Sequence, residues 1–185
     1  MKTTMLTLCC AALVGVGASS AAPVVIVAEG EFFTPKGEGW QVTHMDDSYA
    51  AHSYGGMWLS QGGCLGAPAD NVGASASQSV NVPEAGQYRI WSKYQAPPYF
   101  NYCHQIEVLQ NGKVVYSYVY GKKGSDRLWS FSGVSDELWW FWGVDHDAAE
   151  APKTMATLAA GSAEIRLTTV ANPAPAGARF IDFVV

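Results

Sequence analysis

The sequence is short of charge, of basic residues in particular, and of cysteine. Charged residues make up 15 % of the chain, with 11 Lys and Arg against 16 Asp and Glu, for a formal net charge of −5 at pH 7. No run of basic residues breaks this balance. An acidic surface without a basic stripe excludes the phosphate neutralisation on which nucleic-acid binding depends. The chain has no H-E-x-x-H spacing for a zinc protease and no G-x-S-x-G elbow for a serine hydrolase. It has no internal repeat and no convincing amphipathic helix. Beyond the first residues, no apolar stretch approaches the roughly 20 residues needed to cross a bilayer.

The one long apolar run opens the chain. Lys2 gives a positive start, Met5 to Val16 are apolar, and small residues follow from Gly17 to Ala22. This three-part pattern is that of a secretory signal peptide. Ser20-Ala21-Ala22 before Pro23 fits a small-x-small cleavage site, with Ser19 or Ala21 as other choices for the last residue removed. The reading is a signal peptide over 1–22 and one domain over 23–185, secreted, periplasmic or held at the cell surface. That length is enough to bury a sizeable core. Only Cys64 and Cys103 lie beyond the leader. An even pair in an oxidising compartment predicts one disulfide, closing a loop of roughly 40 residues and stabilising by a few kcal/mol. The alternative is two buried free thiols.

What the chain has in plenty is punctuation and aromatic rings: 19 Gly, 9 Pro, seven Trp, nine Tyr and seven Phe. Short β-prone runs alternate with Gly, Pro, Asn and Asp. The runs are Pro23–Ala28, Gly39–Thr43, Gly56–Ser60, Ser75–Val82, Gln87–Tyr94, His104–Leu109, Val114–Val119, Leu128–Phe131, Leu138–Trp142, Thr154–Leu158, Ala163–Val170 and Ala178–Val184. Asn111-Gly112 between two of them is a strong hairpin signal. In Gln87–Tyr94, alternation puts Tyr88, Ile90, Ser92 and Tyr94 on one face. A single helical turn is plausible only within Asp147–Leu158. About ten short strands at this spacing predict an all-β antiparallel sandwich or barrel.

Three segments, in order, resemble a known family: Val27-Ala28-Glu29-Gly30-Glu31-Phe32-Phe33 followed by Gly39-Trp40; Val80-Asn81-Val82-Pro83-Glu84-Ala85-Gly86-Gln87-Tyr88-Arg89-Ile90-Trp91; and Ala178-Arg179-Phe180-Ile181-Asp182-Phe183-Val184. Together they resemble galactose-binding-like jelly rolls. The nearest in pattern are carbohydrate-binding modules of families 6 and 35, and the accessory β-sandwich domains of some bacterial secreted oxidoreductases and lyases. The resemblance implies a jelly-roll sandwich that binds carbohydrate and does no chemistry. It also implies a structural calcium on Glu29, Glu31 and Asp182. The residues agree on one point: acids two apart in a strand share a face and repel unless a cation neutralises them, and oxygen-only donors suit calcium. Pairing with Arg179 is the alternative. Gly30 stands where the family often has Ala.

In the resembling modules, sugars lie in loops at one end, between two facing aromatics and an asparagine. By order, the matching residues are Tyr54 or Trp58, then Tyr99 or Trp129, then Asn172. Aromatic faces suit the apolar face of a pyranose. Asn101 and Gln105 are further hydrogen-bonding candidates. His44, Asp46, Asp47 and His52, like Asp145-His146-Asp147, read as solvated loop residues rather than a metal centre. Two other classes stay open: a structural or protein-interaction domain that assembles with a surface partner through its aromatic patch, and a small jelly-roll hydrolase or lyase with acids drawn from Asp126, Asp136, Glu137 and Asp145.

Overall fold

The computed structural model describes residues 23–44, 59–68, 70–95, 103–120, 127–129, 140–142, 154–171 and 178–185. Along these, β1 (Ala28–Glu29) leads into one 3-10 turn (Gly30–Phe32), then β2 (Thr34–Lys36) and β3 (Gln41–His44). Next come β4 (Gly63–Pro68), β5 (Ser75–Val82), β6 (Gly86–Arg89) and β7 (Ser92–Gln95). A hairpin follows, β8 (His104–Gln110) and β9 (Lys113–Tyr120), then β10 (Arg127–Trp129) and β11 (Trp140–Trp142). The last three are β12 (Met155–Leu158), β13 (Gly161–Thr169) and β14 (Ala178–Val184).

The hairpin forms where Asn-Gly predicts it. Asn111 (φ 52°) and Gly112 (φ 72°) both adopt the left-handed region, which a two-residue type I′ turn requires to match strand twist. Elsewhere the pairing is long-range. One sheet runs β10-β11-β7-β14-β4-β3, with β1 also beside β14. The other runs β2-β5-β13-β8-β9, and β6 pairs β12 alone. Every strand pairing among the described residues is antiparallel. The two large sheets enclose a core that includes Phe33, Trp40, Leu65, Tyr94, Ile106, Leu167 and Ile181. The protein is an antiparallel β-sandwich of the jelly-roll class.

Alternation decides most of this. Ala163, Ile165 and Leu167 of β13 are buried while their neighbours are not, as a half-buried strand requires. The face read for Gln87–Tyr94 also holds: Ile90, Ser92 and Tyr94 are buried. The single strand does not. It breaks at Ile90-Trp91, where the chain passes from one partner to another. Ile90 N–H bonds Thr154 O on the β12 side, and Trp91 exchanges both backbone bonds with Val185. Met155–Leu158 is strand rather than helix, Thr154 just before it has 3-10 conformation, and residues 147–153, where the rest of the expected turn would fall, lie outside those described. Pro23–Val27 makes no ladder; only Ala28 enters one.

Two expectations need correction. Cys64 and Cys103 are both buried and are not joined in a disulfide. Cys64 sits in β4, in contact with the charge of Asp182 and Glu31. Cys103 precedes β8 in the opposite sheet, so the two sulfurs belong to separate environments. The second concerns Glu29 and Glu31. Glu31 lies in the 3-10 turn, not in an extended strand shared with Glu29.

The core also holds polar groups that hydropathy reading passes over. His104 is fully buried, with Nε2 3.0 Å from Ser92 Oγ, and its ring stacks on Tyr120 and meets Tyr94 edge-on. Tyr120 hydroxyl donates to Ile90 O at 2.7 Å and lies 2.7 Å from Tyr116 hydroxyl. That bond satisfies a carbonyl at the point where β6 hands over to β7. Tyr120→Phe should therefore cost about 1–3 kcal/mol, the cost of a buried polar group left short of a partner. Urea unfolding checks this; an unchanged midpoint would show that the hydroxyl does not matter there.

Candidate functional site

The acidic residues of the N-terminal motif and of β14 are brought together by a glycine. Gly30 is buried, and a Cβ placed on it would lie 2.4 Å from Ile181 O, 2.8 Å from Asp182 O and 2.9 Å from Leu65 N. Those are backbone atoms of β14 and β4, which cannot swing aside. An alanine is sterically excluded, so Gly30 is what lets the 3-10 turn press against β14. Gly63 does the same on the other side, where a Cβ would meet Glu31 Cβ at 2.9 Å and His44 Nδ1 at 3.2 Å.

The result is a cluster of carboxylates around one serine. Asp182 is fully buried. Its Oδ1 accepts from Ser60 N–H at 3.1 Å and faces Ser60 Oγ at 3.2 Å. Its Oδ2 lies 2.6 Å from Lys93 Nζ, and that ammonium also sits 5.4 Å from the centre of the Phe183 ring. Ser60 Oγ donates to Glu29 Oε2 in a short hydrogen bond. One hydroxyl proton cannot serve Glu29 and Asp182 at once. Glu31 Oε2 is buried with no hydrogen-bond partner.

The electrostatics follow from this crowding. Burial raises Asp182 above the ordinary carboxylate range, although Lys93 and Ser60 oppose the rise. Burial raises Glu31 too, and the charges of Glu29 and Asp182 push it further. Cys64 is pushed up to about 12, first by burial and then by Asp182 and Glu31. Its thiol stays protonated and inert, since the thiolate is the reactive form. Lys93 faces Asp182 directly, while what opposes the rise at Glu31 is its backbone hydrogen bond and the charge of His44.

The donor chemistry suits a hard cation: carboxylate and hydroxyl oxygens, one of them an orphan. The arrangement itself is not a coordination shell. Among the described residues, no group of three or more His, Cys, Asp and Glu is placed to hold a metal. Lys93 stands against Asp182 where a cation would otherwise interact.

The aromatic candidates fare differently. Tyr54, Trp58, Tyr99 and Asn172 lie outside the described residues, as does Asn101. Trp129 lies in β10, as the register partner of Trp140 in β11. Trp140, Phe141 and Trp142 are partners of Gln95, Tyr94 and Lys93 in β7, so an aromatic strand pair edges the larger sheet. Gln105 is not at a loop end. It lies in β8 and donates to Ser117 Oγ at 2.8 Å. Sequence reasoning missed Ser60, Lys93 and His104. Ser60 and Lys93 carry no motif and meet Asp182 only through long-range pairing. Ser92 beside His104 has the look of an activated nucleophile, yet both side chains are sealed from solvent at 0 % exposure.

No family model matches the sequence, and no curated protein matches it. Solved structures do match. A family 35 carbohydrate binding module from Clostridium thermocellum is similar over 89 % of this chain and 96 % of its own, at 18 % identity and a TM-score of 0.50. A cycloisomaltooligosaccharide glucanotransferase from Paenibacillus sp. matches over 86 % of this chain and 18 % of its own, at 16 % identity and 0.50. A Paenibacillus xanthan lyase matches over 89 % and 13 %, at 17 % identity and 0.50. The chain spans less than a fifth of the length of these two enzymes. Its fold is the β-sandwich used by carbohydrate-binding modules.

A carboxyl group whose pKa is raised on folding binds its proton more tightly folded than unfolded. Stability then falls as pH rises from the ordinary carboxylate range toward the raised folded value. For Asp182 and Glu31, the melting temperature without divalent cations should therefore climb as pH is lowered from the raised folded values toward the ordinary carboxylate range. Glu31→Gln should flatten that climb and raise the pH 7 melting temperature by about 3 °C. Thermal scans across this range check it. A melting temperature that drops steadily on acidification would refute it.

Proposed function

We propose that the protein is an exported, non-catalytic carbohydrate-binding module with a structural calcium ion. The observation that carries this reading is the shared sandwich, which extends over nearly the whole of a free-standing family 35 module. The aromatic strand pair gives it a physical means. Trp129 and Trp140 are cross-strand neighbours at a sheet edge, and indole faces stack on the apolar faces of sugar rings. Tyr54, Trp58, Tyr99 and Asn172 are the remaining contacts proposed for the glycan, from loops.

Calcium is supported by charge and donor type. Glu29, Glu31 and Asp182 crowd together, Glu31 Oε2 is buried with no hydrogen bond, and the ammonium of Lys93 faces Asp182 alone among them. Bound there, the ion supplies double positive charge and oxygen coordination, and performs no step of chemistry. It braces β1, the 3-10 turn and β14. Ser92 and His104 offer no hydrolytic site, since no substrate reaches a sealed pair.

A glycan array probed with the purified protein, with calcium and with EDTA, tests the proposal. The expected outcome is binding to one glycan class, weakened about tenfold or more by Trp129→Ala, in line with the cost of removing an aromatic anchor. Retention of no glycan by a folded protein would overturn it.

A further inference from the structure

β14 carries one residue too many for its neighbour. It pairs with β7 as Phe180–Gln95 and Ile181–Tyr94, then as Phe183–Lys93 and Val184–Ser92. Asp182 is the extra residue, so Asp182 and Phe183 together oppose Lys93. This is a β-bulge, a device that re-aims a side chain where it interrupts a ladder. Burial follows the shift: Ile181 and Val184, three positions apart rather than two, both pack in the core. On its other side β14 changes partner at the same residue, from β4 up to Ile181 to β1 from Phe183. The 3-10 turn that carries Glu31 presses into that junction, with Gly30 against the Asp182 carbonyl.

The bulge determines what Asp182 meets. Lys93 reaches over both bulge residues, with Nζ 2.6 Å from Asp182 Oδ2 and 5.4 Å from the centre of the Phe183 ring. Its side chain is 13 % exposed, and that of Asp182 is 0 % exposed. Calcium holds a carboxylate oxygen at about 2.3–2.6 Å. The ammonium nitrogen therefore stands about as far from Oδ2 as a bound ion would. Two cations on that one oxygen would lie within about 5 Å of each other, where like charges in a poorly hydrated site repel strongly. A lysine can yield the place, because its charge rides on a flexible four-carbon stem. Its small exposure gives that stem a way out to solvent.

We propose that Lys93 is a tethered competitor for the calcium ion: its ammonium holds Asp182 in the ion-free protein and must leave for the ion to bind. The inference rests on the calcium reading above and assigns Lys93 the role of setting how tightly the ion is held. The ion-free protein keeps a counter-charge at its buried aspartate, so folding does not wait for the ion. Apparent affinity is lowered to the extent that Lys93 occupies the place. The site then fills at higher calcium concentrations than the same acids would need without the lysine.

Calorimetric calcium titrations and thermal scans test this on wild type, on Lys93→Met, which keeps an unbranched stem without the charge, and on Lys93→Arg, which keeps the charge. In EDTA, Lys93→Met should melt about 5 °C or more below wild type, because a buried acid loses its partner. Saturating calcium should close most of that gap. Calcium should bind Lys93→Met about tenfold or more tighter than wild type, and Lys93→Arg no tighter than wild type. Wild type alone supplies a second readout that does not depend on a variant folding. In proton–nitrogen NMR of its lysine ammonium groups, Lys93 should be protected from solvent exchange in EDTA and lose that protection as calcium is added. Calcium bound equally by wild type and Lys93→Met, or a Lys93 ammonium still protected in the calcium-loaded protein, would overturn the proposal and leave the calcium reading standing. Calcium bound by neither protein would overturn both.

Discussion

A fully buried aspartate at the end of the last strand is the constraint around which this sandwich is arranged. Removing a carboxylate from water is costly unless something replaces the lost solvation. Asp182 receives a backbone N–H from Ser60 and the ammonium of Lys93. These come from a loop before β4 and from β7, so one side chain ties two separated parts of the chain to β14. The compensation is incomplete, because Glu29 and Glu31 are pressed against the same place by a turn that only glycine allows. Breaking a buried pair from one side typically costs several kcal/mol, which makes Lys93 as much a structural residue as any in the core.

The same geometry divides the molecule functionally. One stretch of β14 is crowded with acid and suits a cation brace. The edge farthest from β3 carries the β10–β11 aromatic pair. A sandwich of this class can thus keep a rigid, charge-anchored centre while offering its edges and rims for recognition. The interior Ser92–His104–Tyr120 contacts belong to the rigid part. They satisfy polar atoms between the sheets and leave no room for a substrate.

Much of the fold was legible because it rests on local signals. Ser75–Val82, the Asn111-Gly112 hairpin and Ala178–Val184 were readable from alternation and turn chemistry, and their bounds are close to those observed. β4 was not. Gly63-Cys64-Leu65-Gly66-Ala67-Pro68 has no β-branched residue, and it is a strand because its small residues fit between β3, β14 and the 3-10 turn. The acid trio was legible as residues but not as geometry. Glu29 and Glu31 reach Asp182 through a turn, and their partners Ser60 and Lys93 are 31 or more positions from one acid or the other. The cysteine pair misled for a different reason: parity and compartment say nothing about which sheet each thiol occupies. His104 was invisible because a buried histidine depends on ring neighbours supplied by β7 and β9.

The most direct check on the central claim is a carbon-13 NMR titration of the side-chain carboxyls in the protein free of divalent cations. Asp182 and Glu31 should titrate above the ordinary carboxylate range, and calcium should move both downward. Midpoints at or below that range without calcium would contradict the view that these acids are buried with too little positive charge.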